Sequence, residues 1–121
     1  MARDSYTVLI CDDMSSNRAY LSAILQEEGY RIVEAENGEA CIKAVERERP
    51  VLVLLDVVMP GIDGFETLRR LKAERSTAAS SVIMLTSLDD EESKLKAFGF
   101  GAVDYIIKTA SEAEIKARAR V

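Results

Sequence analysis

Hydrophobic and polar positions along the chain alternate between two periods, that of a buried strand and that of an amphipathic helix. Short apolar runs predict five strands, and stretches with apolar residues three and four apart predict a helix after each strand. Glycine, proline, asparagine or aspartate lies at most of the joints. The predicted strands are residues 7–11, 32–35, 51–55, 82–85 and 105–107.

Capping residues suggest where the helices begin and end. Asp63 with Glu66, and Asp89 with Glu92, have the spacing of a capping box and predict the starts of the third and fourth helices. The first helix is predicted over 15–28 and the fifth over 111–121, so that the chain ends within the fifth helix. The other predicted limits are Gly29 after the first helix, Asn37 as cap of the second and Pro50 after it.

Strict alternation of strands and helices predicts a doubly wound α/β fold, a parallel sheet with helices on both faces. A length of 121 residues with 48% hydrophobic residues fits one domain with a single core. Ligands of such sheets bind beyond the carboxyl ends of the strands, where the strand order reverses. Asp12 and Asp13 follow the first strand and Asp56 follows the third, so we expect an acidic cluster there. Carboxylates at the ends of buried strands are costly without a counter-charge, which indicates chemistry.

Composition excludes several classes of function. A net charge of −5 argues against nucleic acid binding by this domain, so a protein partner is expected. The longest apolar run, 51–55, is too short to span a membrane, and residues 1–5 lack the apolar stretch of a signal peptide. Cys11 and Cys41 lack the spacing of a zinc site or disulfide framework and are expected to be reduced and packed. The predicted location is cytoplasmic.

Polar residues also follow the last two strands. Thr86 and Ser87 follow the fourth strand and Lys108 follows the fifth, which places a hydroxyl and a cation at the same sheet edge as the acids. The ordered set of acids, threonine and lysine, with Met-Pro-Gly at 59–61 and Asp-Gly at 63–64, resembles the receiver domain of two-component response regulators, chemotaxis regulators included. The resemblance covers nearly the whole chain and implies a flavodoxin-like sheet with strand order 2-1-3-4-5.

The resemblance implies a phosphorylation switch. Asp56 would accept a phosphoryl group from a sensor histidine kinase or a histidine phosphotransfer protein, with Mg²⁺, or Mn²⁺ in its place, as cofactor. Asp13, Asp56 and the backbone carbonyl of Val58 would bind the cation directly and Asp12 would bind it through water; oxygen ligands suit Mg²⁺. Lys108 would offset the added charge. The chain has no histidine, so it stands on the accepting side.

Further roles are implied for the switch itself. The Thr86 hydroxyl would move toward the phosphoryl group, and Tyr105 would turn inward, which remodels the face formed by helix four, strand five and helix five. An output domain after Val121 and a phosphorylation-dependent homodimer are among the expected partners. Apart from self-phosphorylation and slow self-dephosphorylation, no enzymatic activity is expected.

Two positions depart from the family pattern. Receivers usually follow the lysine with a cis proline, whereas Thr109 follows Lys108 here, and a cis non-proline peptide costs about 2.5 to 4 kcal/mol. That cost favours a trans peptide with altered placement of Lys108, or a strained one. The residues two after the acceptor and two after the threonine, which tune hydrolysis in the family, are the apolar Val58 and Leu88. Slow hydrolysis of the phosphoaspartate is therefore expected.

Each of these polar residues also fits a more ordinary role. Taken singly, the paired aspartates fit a strand-to-helix turn, Thr86 fits a helix cap and Lys108 a solvated lysine; their joint occurrence favours a site. A degenerate receiver that binds a partner constitutively remains an alternative. A phosphohydrolase would need a second aspartate where Val58 stands, and a flavin carrier would need a phosphate loop where the chain has Asp12 and Asp13.

Overall fold

The computed structural model of the protein describes residues 6–121 and confirms the alternation of five strands with five helices. All strand pairs are parallel, and the sheet has the expected order β2-β1-β3-β4-β5. The elements are β1 (Thr7–Cys11), α1 (Ser15–Glu27), β2 (Arg31–Ala35), α2 (Gly38–Glu48), β3 (Leu52–Leu55), α3 (Gly64–Ala73), β4 (Ser81–Thr86), α4 (Glu91–Gly99), β5 (Asp104–Ile107) and α5 (Glu112–Arg118).

The sheet separates two hydrophobic clusters, because successive side chains of a strand point to opposite faces. In β1, Val8 and Ile10 pack with α1 and α5, whereas Leu9 and Cys11 pack with α2, α3 and α4. All four residues of β3 are buried, as expected for a central strand covered on both sides. Helices therefore cover both faces, and the doubly wound fold is confirmed.

Caps at three helices confirm the predicted signals. The side chains of Asn37, Asp63 and Ser111 accept hydrogen bonds from the backbone N–H groups of residues 40, 66 and 114 at the starts of α2, α3 and α5. The second half of the α3 capping box is absent, because Glu66 pairs with Arg69 and Arg70 instead.

Two helix boundaries were predicted wrongly. Asp90 rather than Asp89 caps α4, and it accepts a hydrogen bond from the N–H of Ser93. Both aspartates have a polar partner three residues on, so the spacing could not choose between them. The fifth helix, predicted over 111–121, ends at Arg118.

Both cysteines are free thiols inside the protein, as expected. The Cys11 Sγ donates to the carbonyl of Asn37 at 3.4 Å and lies 3.6 Å from the sulfur of Met59. A hydrogen bond with Cys41, and then burial, raise the pKa of Cys11, so this thiol stays protonated.

None of the helices in residues 6–121 has the length and apolar character needed to cross a membrane. The signal-peptide expectation concerns residues 1–5, which lie outside the described residues.

Candidate functional site

The site forms where the order of the strands reverses. The chain goes from β1 outward to β2 and then returns to the other side of β1 for β3. The carboxyl ends of β1 and β3 therefore border a crevice between oppositely directed crossovers. Asp12, Asp13 and Asp56 lie there, as the sequence predicts.

Backbone hydrogen bonds extend the sheet by one residue beyond each strand and fix the site residues. The N–H of Asp12 donates to the carbonyl of Ala35 at 3.2 Å, and that of Asp56 donates to the carbonyl of Cys11 at 3.0 Å. At the other side of the sheet, the N–H of Lys108 donates to the carbonyl of Thr86 at 2.9 Å. These functional side chains consequently start from the rigid sheet rather than from a loop.

Three carboxylates meet at this edge. Each of Asp12, Asp13 and Asp56 offers an oxygen within 4.8 Å of the other two. Asp12 is 2% exposed and Asp56 5%, whereas Asp13 is open to solvent. Burial of two acids beside a third is unfavourable unless positive charge compensates them.

Lys108 supplies part of that compensation. Its Nζ lies 2.7 Å from Oδ2 of Asp56 and 2.8 Å from Oδ2 of Asp12. Burial lowers the pKa of Lys108, but the hydrogen bonds that it donates to Asp12 and Asp56, with the attraction of their charges, outweigh burial and leave the pKa raised. The ammonium is therefore retained at neutral pH. Three carboxylates and one ammonium leave a formal charge of −2, which a divalent cation would neutralise.

The donor set fits a hard divalent cation such as Mg²⁺. All three side chains offer oxygen, the ligand that Mg²⁺ prefers, and no soft ligand belongs to the cluster. Oxygens bound to Mg²⁺ at about 2.1 Å lie roughly 3 to 4 Å apart in octahedral geometry, so the observed spacing needs only a small approach.

The peptide between Lys108 and Thr109 is trans. The trans peptide still leaves the lysine in reach of both carboxylates, and its residues have no positive φ angle. The departure from the family pattern at Thr109 therefore does not remove Lys108 from the site.

Thr86 and Tyr105 lie on the neighbouring strands. Thr86 is fully buried at the end of β4, and its hydroxyl accepts a hydrogen bond from the N–H of Leu88 at 3.4 Å. Tyr105 is directed inward with 8% exposure, and its hydroxyl donates to the carbonyl of Leu88 at 2.8 Å. The loop after β4 is thus bound both to β4 and to β5.

The rim of the crevice is apolar. Val58, two residues after Asp56, is 57% exposed, and Leu88 is half-buried. The N–H of Val58 lies 3.4 Å from Oδ1 of Asp56. The other Asp56 oxygen, Oδ2, binds Lys108, so the two oxygens of this carboxylate have different partners.

Gly64, the first residue of α3, packs closely against the loop that follows Asp56. Its N–H donates to the carbonyl of Val57 at 2.7 Å. A Cβ atom at Gly64 would overlap the carbonyl oxygen of Asp56 and lie 2.6 Å from the Cα of Val57. Only glycine permits this approach of α3 to the loop.

Sequence patterns did not identify three groups that hold Asp12. The N–H of Met14 donates to its Oδ1 at 2.9 Å, the amide of Asn17 donates to its Oδ2 at 3.3 Å, and Arg18 donates to its backbone carbonyl at 2.6 Å. The Met14 contact has the two-residue spacing of an Asx turn, which any aspartate in a turn could form, and no spacing rule marks the contacts of Asn17 and Arg18.

Comparison with known proteins gives a consistent result. Residues 8–120 match the family model of the response regulator receiver domain. The protein PilH of Pseudomonas aeruginosa is 37% identical over 105 residues, which are 87% of each chain. The phosphate regulon transcriptional regulatory protein PhoB of the same species is 38% identical over 93% of this chain, but this chain spans only 49% of PhoB.

Solved structures resemble the fold closely. The BeF3-activated N-terminal receiver domain of Klebsiella pneumoniae RstA has a TM-score of 0.87 and 31% identity, with 94% of this chain and 95% of that chain covered. The chemotaxis protein CheY4 of Vibrio cholerae has a TM-score of 0.87 and 27% identity, with 96% and 98% covered.

Proposed function

The chain belongs to the response regulator receiver domain family, and on that premise we propose that Asp56 accepts a phosphoryl group from a phosphohistidine. The donor is a sensor histidine kinase or a histidine phosphotransfer protein of a two-component pathway. The observation that supports this proposal most directly is the contact of Lys108 Nζ with both Asp56 and Asp12 inside the acidic cluster. Receiver domains are regulatory modules rather than enzymes of a conventional kind.

Transfer requires one oxygen of Asp56 to attack the phosphorus of the phosphohistidine. The new P–O bond forms as the P–N bond breaks, and the imidazole leaves with the electron pair and takes up a proton. Lys108 stays beside Asp56 and compensates the charge on the phosphoryl oxygens. Phosphoryl transfer needs positioning and charge stabilisation more than covalent assistance, which matches a site made of acids, a lysine and a threonine.

A bound Mg²⁺ would supply the charge neutralisation that lets a phosphoryl donor approach three carboxylates. Asp13, Asp56 and the carbonyl of Val58 are the proposed direct ligands, and Asp12 the ligand through water. Mn²⁺ is a suitable replacement, because it also prefers oxygen.

The switch is proposed to involve Thr86 and Tyr105. The added phosphoryl oxygens attract the Thr86 hydroxyl. The loop after Thr86 is bound to the Tyr105 hydroxyl through the Leu88 carbonyl, so displacement of this loop reaches β5. The proposed readout is the face formed by α4, β5 and α5, which would bind a partner, an output domain or a second copy of the chain.

PhoB is named as a transcriptional regulatory protein, which makes an output domain beyond residue 121 part of this proposal. The proposed location is cytoplasmic.

Intact mass tests the acceptor. We expect one phosphate on the parent protein after incubation with Mg²⁺ and acetyl phosphate or phosphoramidate, and none on Asp56→Asn or after chelation of the metal. Asp63→Asn is the matched control, since it makes the same chemical change at an exposed cap where asparagine is equally suitable. Phosphate on Asp56→Asn would disprove the assignment. Absence of phosphate on the parent, with Mg²⁺ binding established, would favour the degenerate receiver.

A second prediction concerns how long the phosphate persists. The side chains of Val58 and Leu88 cannot hydrogen bond to an attacking water, so the double variant Val58→Asn, Leu88→Glu is expected to lose its phosphate about tenfold faster. The decay is measured by intact mass after removal of the donor. A parent protein that decays as fast as the double variant would contradict the idea.

A further inference from the structure

Arg18 on α1 has no role in the transfer described above, yet two partners hold it at the edge of the site. Its Nη1 donates to the backbone carbonyl of Asp12 at 2.6 Å, and its Nε donates to the carboxylate of Glu34 on β2 at 3.0 Å. The side chain is only 15% exposed. Ordering an arginine side chain in this way costs conformational entropy, so the contacts must contribute enough to offset it.

The carbonyl that Arg18 binds belongs to the peptide that joins Asp12 to Asp13. The side chain of Asp12 is independently fixed by Met14, Asn17 and Lys108. The side chain of Asp13 is exposed and has no hydrogen bond or ion pair within the part of the chain that the structure describes. The direction of the Asp13 carboxylate therefore depends on its backbone, and so on the peptide that Arg18 holds.

The other hydrogen bonds of this turn reach the Asp12 side chain and its N–H, and only Arg18 binds the carbonyl of Asp12 among the described residues. Met14 is the N-cap of α1 and provides no side-chain cap, unlike the caps of the other four helices. Arg18 acts differently from a cap: from one turn further along the helix, it donates to the Asp12 carbonyl and so joins the turn to α1. Glu34 holds the guanidinium from the β2 side and neutralises its charge.

We propose that Arg18 is a positioning residue that raises the affinity of the acidic cluster for a divalent cation by fixing the peptide between Asp12 and Asp13. This inference rests on the proposed function, because it concerns the same metal site. Groups that orient metal ligands from behind commonly affect metal affinity by about 10 to 100-fold.

Electrostatics alone predicts the opposite effect. Arg18 is a cation beside an acidic cluster, so its removal would make the potential there more negative and tighten binding of Mg²⁺. Loss of positioning would weaken binding. The sign of the change in affinity therefore separates positioning from electrostatics.

The test is a calorimetric titration of the unphosphorylated protein with MgCl2, which needs no phosphoryl transfer. We expect Arg18→Met to raise the Kd for Mg²⁺ by about tenfold or more. Arg31→Met is the matched control. Arg31, on β2, forms an ion pair with Glu48 of the same length, 3.0 Å, but its side chain is exposed. This control is expected to leave the Kd unchanged or slightly lower.

Further variants keep the result interpretable. Arg18→Lys retains the charge but can reach only one of the two partners at a time, so an intermediate loss of affinity is expected even if Arg18→Met fails to fold. An unchanged or tighter Kd in the folded variants, with binding lost in Asp13→Asn, would overturn this inference alone. Failure of the parent to bind Mg²⁺ would overturn the proposed metal site together with it.

Discussion

Replacement of Lys108 by methionine is expected to lower the free energy of unfolding at neutral pH by about 3 kcal/mol. The variant leaves Asp12 and Asp56, both nearly inaccessible to solvent, without their shared cation. Removal of one partner from a buried ion pair typically costs about 3 to 5 kcal/mol, and the lower end applies because the lysine side chain is 25% exposed. Urea unfolding followed by circular dichroism measures the change.

Lys116→Met is the matched control for this effect. Lys116 has almost the same side-chain exposure, 26%, and also contacts two carboxylates, at 3.0 and 3.4 Å. Its partners Glu27 and Glu112 are solvent-exposed, so the control should cost less than about 1 kcal/mol. An equal loss in the free energy of unfolding of Lys108→Met and Lys116→Met would contradict the idea that buried carboxylates cause the effect.

Two changes, a second substitution and a bound cation, should each restore stability to the Lys108→Met variant. Asp12→Asn in the same chain removes one of the uncompensated charges, and added Mg²⁺ supplies a replacement cation.

High pH is expected to lower the free energy of unfolding of the parent protein, as the Lys108→Met substitution does. Because the pKa of Lys108 is raised on folding, its contribution is complete at neutral pH and is lost only as the pH rises through that raised value.

Gly64→Ala is expected to cost about 3 kcal/mol and to reduce phosphorylation of Asp56 as well. The new Cβ would overlap the carbonyl oxygen of Asp56, and the three nearest atoms that it meets are all backbone atoms, which cannot rotate away. The loop after β3 must shift to admit the methyl group, which moves the proposed acceptor. Urea unfolding and intact mass after incubation with acetyl phosphate measure the two effects.

The chain offers two graded controls for Gly64→Ala. Gly99→Ala places its Cβ in open space within α4 and should be neutral or stabilising by up to about 1 kcal/mol. Gly38→Ala meets the side chains of Ile62 and Thr67, which have rotatable bonds, so its cost should lie between the other two. If Gly64→Ala is as stable as Gly99→Ala, the loop after β3 can shift at no cost in stability, and the expected steric effect is wrong.

Much of the fold could be predicted from the sequence because its signals are local. A strand buried on both faces needs an unbroken apolar run, and β3 has one. The caps Asn37 and Asp63 act within three residues of their own position, so their spacing is visible in the sequence. The cap of α4 was assigned wrongly because adjacent aspartates compete and the path of the preceding loop decides between them.

The acidic cluster could be predicted because the carboxyl ends of parallel strands meet at one edge. The arrangement of Lys108 between Asp12 and Asp56 could not, since it depends on distances between side chains from three strands. The contact of Arg18 with the Asp12 carbonyl and that of Tyr105 with the Leu88 carbonyl were also inaccessible. A backbone carbonyl occurs at every residue, so the sequence gives no sign of which one a side chain will reach.

The loop after β4 is held at both of its sides. Tyr105 binds the loop at Leu88, and the N–H of Lys108 binds the last residue of β4, Thr86. Motion of this loop must therefore either break the hydrogen bond between Tyr105 and Leu88 or carry Tyr105 along with it. Because the Lys108 N–H anchors the other end of segment 105–108 to β4, a displacement carried by Tyr105 would bend β5 rather than shift the whole segment.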